Sequence, residues 1–100
     1  MTNLDYASDE IDAGAHLIPP YMIDGVKRYV LHGIPPGDFL RALLCNDFME
    51  AAGRADDYNF AALGQWARFL YNHVPGECRG SPEHYTAWLG QGGLLQETKP

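Results

Sequence analysis

The sequence contains no apolar run long enough for a membrane helix and no basic start of the kind that signal peptides have. A membrane-spanning helix needs about 20 mostly apolar residues, and no apolar run approaches that length. Lys27 is the first cationic side chain, and it is preceded by Asp5, Asp9, Glu10 and Asp12, which is the reverse of a signal peptide. We therefore expect a cytoplasmic protein that neither spans a membrane nor is exported.

Positive charge is also scarce in this chain. Seven Lys and Arg residues against thirteen Asp and Glu residues give a formal net charge of −6. This balance opposes general attraction to nucleic acid or to anionic membranes, and it favours a basic partner. Direct binding to DNA or RNA is therefore not expected from the overall charge.

The chain has two cysteines, Cys45 and Cys78, one in an apolar run and one in a turn-rich segment, which is typical of a reduced protein. His73, Cys78 and His84 lie close in sequence, but the paired Cys-x-x-Cys or His-x-x-x-His spacing of zinc sites does not occur. We expect His73 to interact with the carboxyl end of its helix and His84 to lie in a first helical turn. No metal or other cofactor is predicted.

Motifs of catalysis are missing as well. There is no Gly-x-Ser-x-Gly sequence and no Gly-x-x-x-x-Gly-Lys phosphate loop, and Ser81 has a predicted role as a helix cap. Asp47 with Glu50, or Asp56 with Asp57, could act as an acid–base or magnesium pair, but helix capping accounts for all four. We therefore expect a protein that is not an enzyme.

What the sequence does contain is helical periodicity. Hydrophobic residues make up 46% of the 100 residues, enough for one core, and no alternating run of strand length occurs. The pattern predicts an all-α fold, a compact bundle of four to five short helices with an irregular N-terminal arm. The expected division is an acidic N-terminal arm over 1–18, a single helical domain over 19–93 and a C-terminal tail over 94–100.

Turn and capping residues set the predicted helix boundaries. Asp47 followed by Glu50 matches a capping box, so residues 36–54 form either one helix or two. The predicted elements are a helix opened by Pro19 and Pro20 and closed by Gly33, one helix within 36–54 or two over 38–45 and 47–54, a helix capped by Asp57 or Asn59 that Pro75 and Gly76 terminate, and a helix with the cap Ser81 that Gly92 and Gly93 stop.

Each predicted helix has an apolar stripe that is expected to face the core, consisting of Met22, Val26, Tyr29 and Val30 in the first helix and of Tyr85, Trp88 and Leu89 in the last. The stripe of the second helical segment consists of Leu40, Leu43, Leu44, Phe48 and Ala51. That of the following helix consists of Phe60, Leu63, Ala67, Leu70 and Val74, with Trp66 and Phe69 widening it.

The segment Gly-Ile-Pro-Pro-Gly at 33–37 separates the first two predicted helices. Pro35 and Pro36 each fix φ and disfavour helix at the residue before them. Every residue of the segment has a backbone role. We interpret it first as a joint between helices, with a ligand-binding loop as the other interpretation.

Two candidate surfaces follow from residue type. Acids and aromatic residues suited to a protein interface are Asp47, Glu50, Asp56, Asp57, Tyr58, Tyr71 and Trp88, although the aromatic residues could equally belong to the core. The alternative is a small-ligand or nucleic-acid patch near the Pro-rich joint, formed by Lys27, Arg28 and Arg41.

The segments HGIPPGDFL, LLCNDFMEAAGRADDYN, LYNHVP and CRGSPEHYTAWL resemble, in this order, a family of small uncharacterised accessory proteins of tailed bacteriophages and prophages. The resemblance covers residues 19 to about 91 and carries no catalytic residue. One departure is Arg79, where the resemblance implies a tryptophan, so the packing or contact role of that tryptophan is not carried over.

The resemblance implies a phage gene product that acts in the host cytoplasm by binding and inhibiting a host protein. An anti-CRISPR or other anti-defence inhibitor is the specific expectation. Its acidic side chains would stand where phosphates lie in the basic channel of a nucleic-acid-binding defence complex. The sequence leaves open whether the chain forms a homo-oligomer.

Overall fold

Seven α-helices joined by short connections make up the computed structural model, which describes residues 3–94. α-Helical and 3-10 residues together make up 79% of these residues and no strand occurs among them, so the all-α prediction is confirmed, while the predicted four to five helices are too few. The helices are α1 (Asn3–Gly14), α2 (Ile23–His32), α3 (Asp38–Leu44), α4 (Phe48–Arg54), α5 (Asp57–Ala61), α6 (Leu63–His73) and α7 (Pro82–Gln91). Short 3-10 segments lie at Ala15–Leu17, Pro20–Met22 and Gly76–Cys78.

The segment 36–54 forms two helices, which decides between the two alternatives. α3 ends at Leu44 and is followed by a turn at 45–46. Within this turn Asn46 has φ of 63°, in the left-handed region, so the helix does not continue into α4. The Asp47 carboxylate then accepts the Glu50 N–H at 3.2 Å and caps α4. The predicted capping role of Asp47 is confirmed.

The predicted third helix is divided at Ala62 into α5 and α6. Asp56 caps α5 by accepting the Asn59 N–H at 2.8 Å, so the prediction that Asp57 or Asn59 is the cap is wrong. Asp57 is instead the first residue of α5. Asn59 is buried, and its side-chain oxygen accepts from the Trp66 indole N–H at 3.0 Å, which joins α5 to α6.

The N-terminal segment is a helix of the bundle. α1 packs against α2 and α6, and its residues Ala7 and Ile11 lie in the core. Lys27 of α2 forms an ion pair with Asp12 at 2.8 Å. The prediction of an irregular arm is wrong, because the small and apolar side chains of α1 share one face and bury it against the bundle. At the other end Leu94 is buried, while the rest of the predicted tail lies outside the described residues.

Two groups of aromatic side chains pack in the core. Trp66 and Phe69 are fully buried, and Phe39 packs edge-on against Trp66 with ring centroids 5.6 Å apart. Tyr29 stacks on Tyr85 at 5.5 Å. Within residues 3–94, every buried side-chain nitrogen and oxygen has a hydrogen-bond partner. Each helix of this part of the chain is too short or too polar to cross a membrane.

The Gly-Ile-Pro-Pro-Gly segment connects α2 to α3, and its first residue is held by a close backbone contact. Gly33 ends α2 with φ of 67°, and its N–H donates to the Tyr29 carbonyl at 2.9 Å. A Cβ added at Gly93 would lie only 2.6 Å from the Gly33 nitrogen. The end of α2 and the chain after α7 therefore touch backbone to backbone, which supports the interpretation of the segment as a structural joint.

Replacing Pro35 and Pro36 together with alanine should lower the free energy of unfolding by about 1 kcal/mol, because the unfolded chain regains conformational freedom. Urea denaturation of the double variant measures this loss. If the segment is only a joint, binding of a partner should fall less than stability does. A variant that kept its stability and lost its partner would make the segment a contact loop instead.

Candidate protein-binding groove

An open, largely apolar groove of about 480 Å³ lies between the start of α4 and one face of α6. We refer to it as the α4–α6 groove. The turn before α4 contributes Asp47, and α4 itself contributes Phe48. The loop before α7 adds Arg79 to the wall. The groove thus combines an apolar surface with one carboxylate and one guanidinium.

The floor of the groove is a face of α6 that the sequence pattern assigned to the core. Leu63, Ala67 and Tyr71 recur every four residues and share this face. Trp66 and Phe69, both 0% exposed, occupy the core side instead. Because the two larger side chains are buried, the Leu63–Ala67 face is turned outward, and the predicted core position of Ala67 is wrong.

Gly64 leaves open space at the floor of the groove. A Cβ added at this position would meet no heavy atom within 4 Å, in contrast to a Cβ at Gly33 or Gly93. A Cβ at position 64 therefore meets no clash. The space above this part of α6 is free for a partner.

Phe48 and Met49 project into solvent from the first turn of α4. They are 62% and 77% exposed, because α4 has seven residues and buries only Ala51. The predicted core position of Phe48 is wrong, and so is that of Phe60, which is 57% exposed. Large apolar side chains beside an apolar groove form the kind of surface that protein partners bind.

Arg79, in the loop before α7, forms one wall of the groove, and its side chain binds carbonyls in the last turns of α6. Its Nε donates to the Leu70 carbonyl at 2.7 Å, and a terminal nitrogen donates to the Tyr71 carbonyl at 3.4 Å. Its guanidinium carbon lies 5.6 Å from the centroid of the Tyr71 ring. The charge is thus engaged by carbonyls at the negative end of the helix, and the side chain positions Tyr71.

The predicted partner-binding acids differ in what they contact. Glu50 accepts from Arg54 at 2.8 Å, and Arg54 also lies 3.3 Å from Asp38, so the charge of Glu50 is paired. Asp47 and Asp57 are exposed, and neither forms an ion pair with a cation within residues 3–94. Of these acids only Asp47 lines the groove.

Asp56, the fourth predicted acid, is held by a hydrogen bond from the Tyr21 hydroxyl. This bond lowers the pKa of Asp56 and raises the pKa of Tyr21 to about 12. The carboxylate stays ionised and the phenol stays protonated at neutral pH, so neither is poised to exchange a proton there. Asp56 serves structure, because it also caps α5.

The predicted aromatic contacts are divided between surface and core. Tyr71 lines the groove and is 75% exposed, and Tyr58 is 73% exposed on α5 outside the groove lining. Trp88 is 3% exposed, and its indole N–H is shared between the carbonyls of Tyr29 and Val30 at 3.1 and 3.2 Å. Trp88 therefore ties α7 to α2, which confirms its predicted place on the buried side of the last helix, whereas its prediction as a partner-binding residue is wrong.

Lys27, Arg28 and Arg41 do not form one free basic patch. Lys27 is paired with Asp12, and Arg41 lies 3.4 Å from Asp38. Arg28 lines a second groove of about 380 Å³ beside the Pro-rich joint, whose lining includes carboxylates as well as cations. The mixed charge gives little support to a site for phosphate or nucleic acid.

The side chains considered for zinc are engaged separately. His73 Nδ1 lies 2.7 Å from Glu10 Oε2 of α1, which is not the predicted interaction with the end of its own helix. His84 lies in the first turn of α7 as predicted, with Nδ1 2.8 Å from the Arg79 carbonyl oxygen. Cys78 is fully buried, and burial raises the pKa of its thiol to about 12. Residues 3–94 contain no group of three side chains placed to hold a metal.

No family of known proteins, no curated protein and no solved structure matches this chain. The α4–α6 groove and its exposed border are therefore the basis for a functional argument.

Sequence reasoning missed the roles of Phe48, Met49 and Gly64. Neighbouring residues of a short helix can both be buried, as Phe39 and Leu40 are in α3, so the sequence carries no signal that Phe48 and Met49 are exposed. Gly64 lies inside a helix, where glycine costs about 0.5–1 kcal/mol relative to alanine. Such a cost is consistent with a need for space at that position.

Proposed function

We propose that this protein is a non-enzymatic bacteriophage accessory protein that binds a host protein through the α4–α6 groove and inhibits it. The resemblance to phage accessory proteins supplies the phage and host context. We favour an anti-CRISPR or another anti-defence inhibitor that acts in the host cytoplasm.

The observation that carries the proposal is the exposed border of the groove. Phe48, Met49 and Tyr71 are each more than half exposed beside a largely apolar surface. Covering a large apolar side chain contributes about 1.5–3 kcal/mol, and aromatic anchors dominate the energetics of many interfaces. A partner that covers these side chains gains the free energy of removing their apolar surface from water.

Charge points to a partner with basic residues. The chain carries a net charge of −6, and Asp47, which lines the groove, has no cation paired with it within residues 3–94. An acidic surface speeds encounter with a basic one and repels other acidic surfaces. A protein surface that carries Lys or Arg is therefore the occupant that fits this groove.

The groove chemistry supports binding over catalysis. Among residues 3–94, Asp47 is the only carboxylate in the lining, and its side chain is already used as a helix cap. Arg79 is engaged by backbone carbonyls of α6. Catalysis by acid and base needs a second titratable group, and the described lining offers Asp47 only Tyr71, which is 75% exposed and already packs against the Arg79 guanidinium.

A plaquing assay tests the inhibitory role. Bacteria that each carry one defence system, CRISPR–Cas systems included, would express the protein and be infected with a phage that the system restricts. We expect plaquing to rise in at least one such host. The double variant Phe48→Ala with Tyr71→Ala should lose this rise, whereas Tyr6→Ala on α1, where the side chain is 65% exposed, should keep it. No rise in any host, or a rise that survives the double variant, would count against the proposal.

Replacing Asp47 and Asp57 with asparagine should slow association with the host partner, chiefly at low salt. Screening already weakens steering near physiological ionic strength, where the Debye length is about 8 Å. Asparagine caps helices as well as aspartate does, so α4 should persist. Stopped-flow association rates over a range of salt concentrations measure the effect.

The matched control for this prediction is Asp9→Asn with Asp24→Asn, which removes the same charge from exposed positions on α1 and α2. We expect the control to change the association rate less and the dissociation rates of both variants to change little. An association rate insensitive to these substitutions and to salt would contradict electrostatic steering and leave the exposed aromatic side chains as the binding determinant.

A further inference from the structure

We propose that the α4–α6 groove accepts an amphipathic α-helix of the partner, with aliphatic anchors on one face and Lys or Arg beside them. This inference rests on the proposed function and specifies the chemistry of the partner at the same site. It is carried by the geometry of α6, the absence of a strand edge in the part of the chain that the structure describes, and the charge of the groove.

The exposed face of α6 is long enough for a partner helix to bind, and its small residues let that helix approach closely. From Leu63 to Tyr71 it extends over about 12 Å, at about 1.5 Å per residue. Two turns of a partner helix, with anchors at positions i, i+3 or i+4 and i+7, cover about the same length. Between these ends stand Gly64 and Ala67, so the backbone of a partner helix can approach closely.

An extended peptide has less to bind to on this surface. Extended peptides usually gain affinity by adding a strand to an exposed sheet edge, and residues 3–94 contain no strand. A helix satisfies its own backbone hydrogen bonds and needs only an apolar groove. The helical occupant is therefore the one that this all-α surface can accommodate without leaving peptide groups unpaired.

The charge of the groove selects among helices. Asp47 provides a carboxylate at the start of α4, while the Arg79 guanidinium is directed at the carbonyls of Leu70 and Tyr71. A cationic side chain beside the anchors can pair with Asp47, whereas an acidic one would meet an acidic chain. The same repulsion disfavours a second copy of this chain as the occupant.

Designed peptides test this inference without the host partner. The probe is a peptide of about 18 residues built from Leu and Lys with one apolar helical face. One control permutes the same residues so that Leu alternates with Lys, and the other replaces Lys with Glu. Fluorescence anisotropy measures affinity, and amide chemical shifts of the labelled protein locate the contact.

We expect the Leu/Lys helix to bind with shifts concentrated at the α4–α6 groove, and both control peptides to bind at least about tenfold more weakly. Gly64→Met fills the floor of the groove, where a Cβ has open space, and should abolish binding. Gly90→Met on α7, also in open space, should leave binding unchanged. Both variants should show the amide spectrum of a folded protein.

Equal binding of the permuted peptide, or shifts outside the groove, would overturn the helical occupant. Equal binding of the Glu peptide would overturn the charge selection, and self-association that Gly64→Met abolishes would make a second copy the occupant. The peptide result is separate from the plaquing result. A groove that binds the Leu/Lys helix without any rise in plaquing leaves the inference standing and removes the proposed inhibition.

Discussion

Ile11→Ala should lower the free energy of unfolding by about 2–5 kcal/mol. Ile11 is 0% exposed in α1, which packs against both α2 and α6. Truncation loses the transfer free energy of the removed carbons and leaves a cavity that the surrounding helices fill only in part. Urea denaturation, followed by circular dichroism, measures the change.

The control for this prediction is Asp9→Ala, at an exposed position of the same helix. It should change stability by less than about 0.5 kcal/mol, the usual range for a surface substitution. If Ile11→Ala cost no more than the control, α1 would be a loosely attached segment, as its composition predicts, and not a part of the core.

Gly93→Ala should destabilise the protein by about 2–5 kcal/mol, because two costs add. The residue has φ of 69°, where an L side chain costs about 1–2 kcal/mol. The added Cβ would also lie 2.6 Å from the Gly33 nitrogen and 2.8 Å from the His32 nitrogen, and relieving such overpacking costs about 1–3 kcal/mol. Denaturant unfolding of the purified variant measures the sum.

Gly92→Ala is the matched control, since Gly92 has φ of 77° but open space around its Cβ position. It should lose only the conformational part, about 1–2 kcal/mol. The difference between the two variants measures the backbone contact between the end of α2 and the chain after α7. Equal losses would mean that this contact relaxes at little cost.

Local signals predicted several helix ends, although they missed the Asp56 cap of α5 and the break at Ala62. Caps at Asp47 and Ser81 and the break at Gly33 depend on backbone groups within a few residues, which the sequence shows directly. α1 was missed because its composition is acidic and its apolar side chains are few. Ile11 is buried in α1, which packs against α2 and against α6, about 50 residues further along the chain, and local periodicity does not report such packing.

The candidate site was predicted in part. Asp47 and Tyr71 line the groove as partner-binding candidates, whereas Trp88 lies in the core. Phe48, which was expected in the core, is exposed and also lines the groove. The stripe of α6 offers two adjacent apolar faces, and residue type alone does not tell which one is buried. The face that carries the large Trp66 side chain is buried in the core. The other face therefore forms the floor of the groove.

Site-specific photo-crosslinking in bacteria is the direct test of whether a host protein binds at the α4–α6 groove. Benzoylphenylalanine would replace Phe48, Tyr71 or, as the control, Tyr6, all of which are exposed. We predict that the first two positions give an adduct with the same host protein, that Tyr6 gives none, and that adding Gly64→Met abolishes both adducts. Adducts of equal yield at all three positions, or adducts that persist in the Gly64→Met background, would contradict binding of a host protein at the α4–α6 groove.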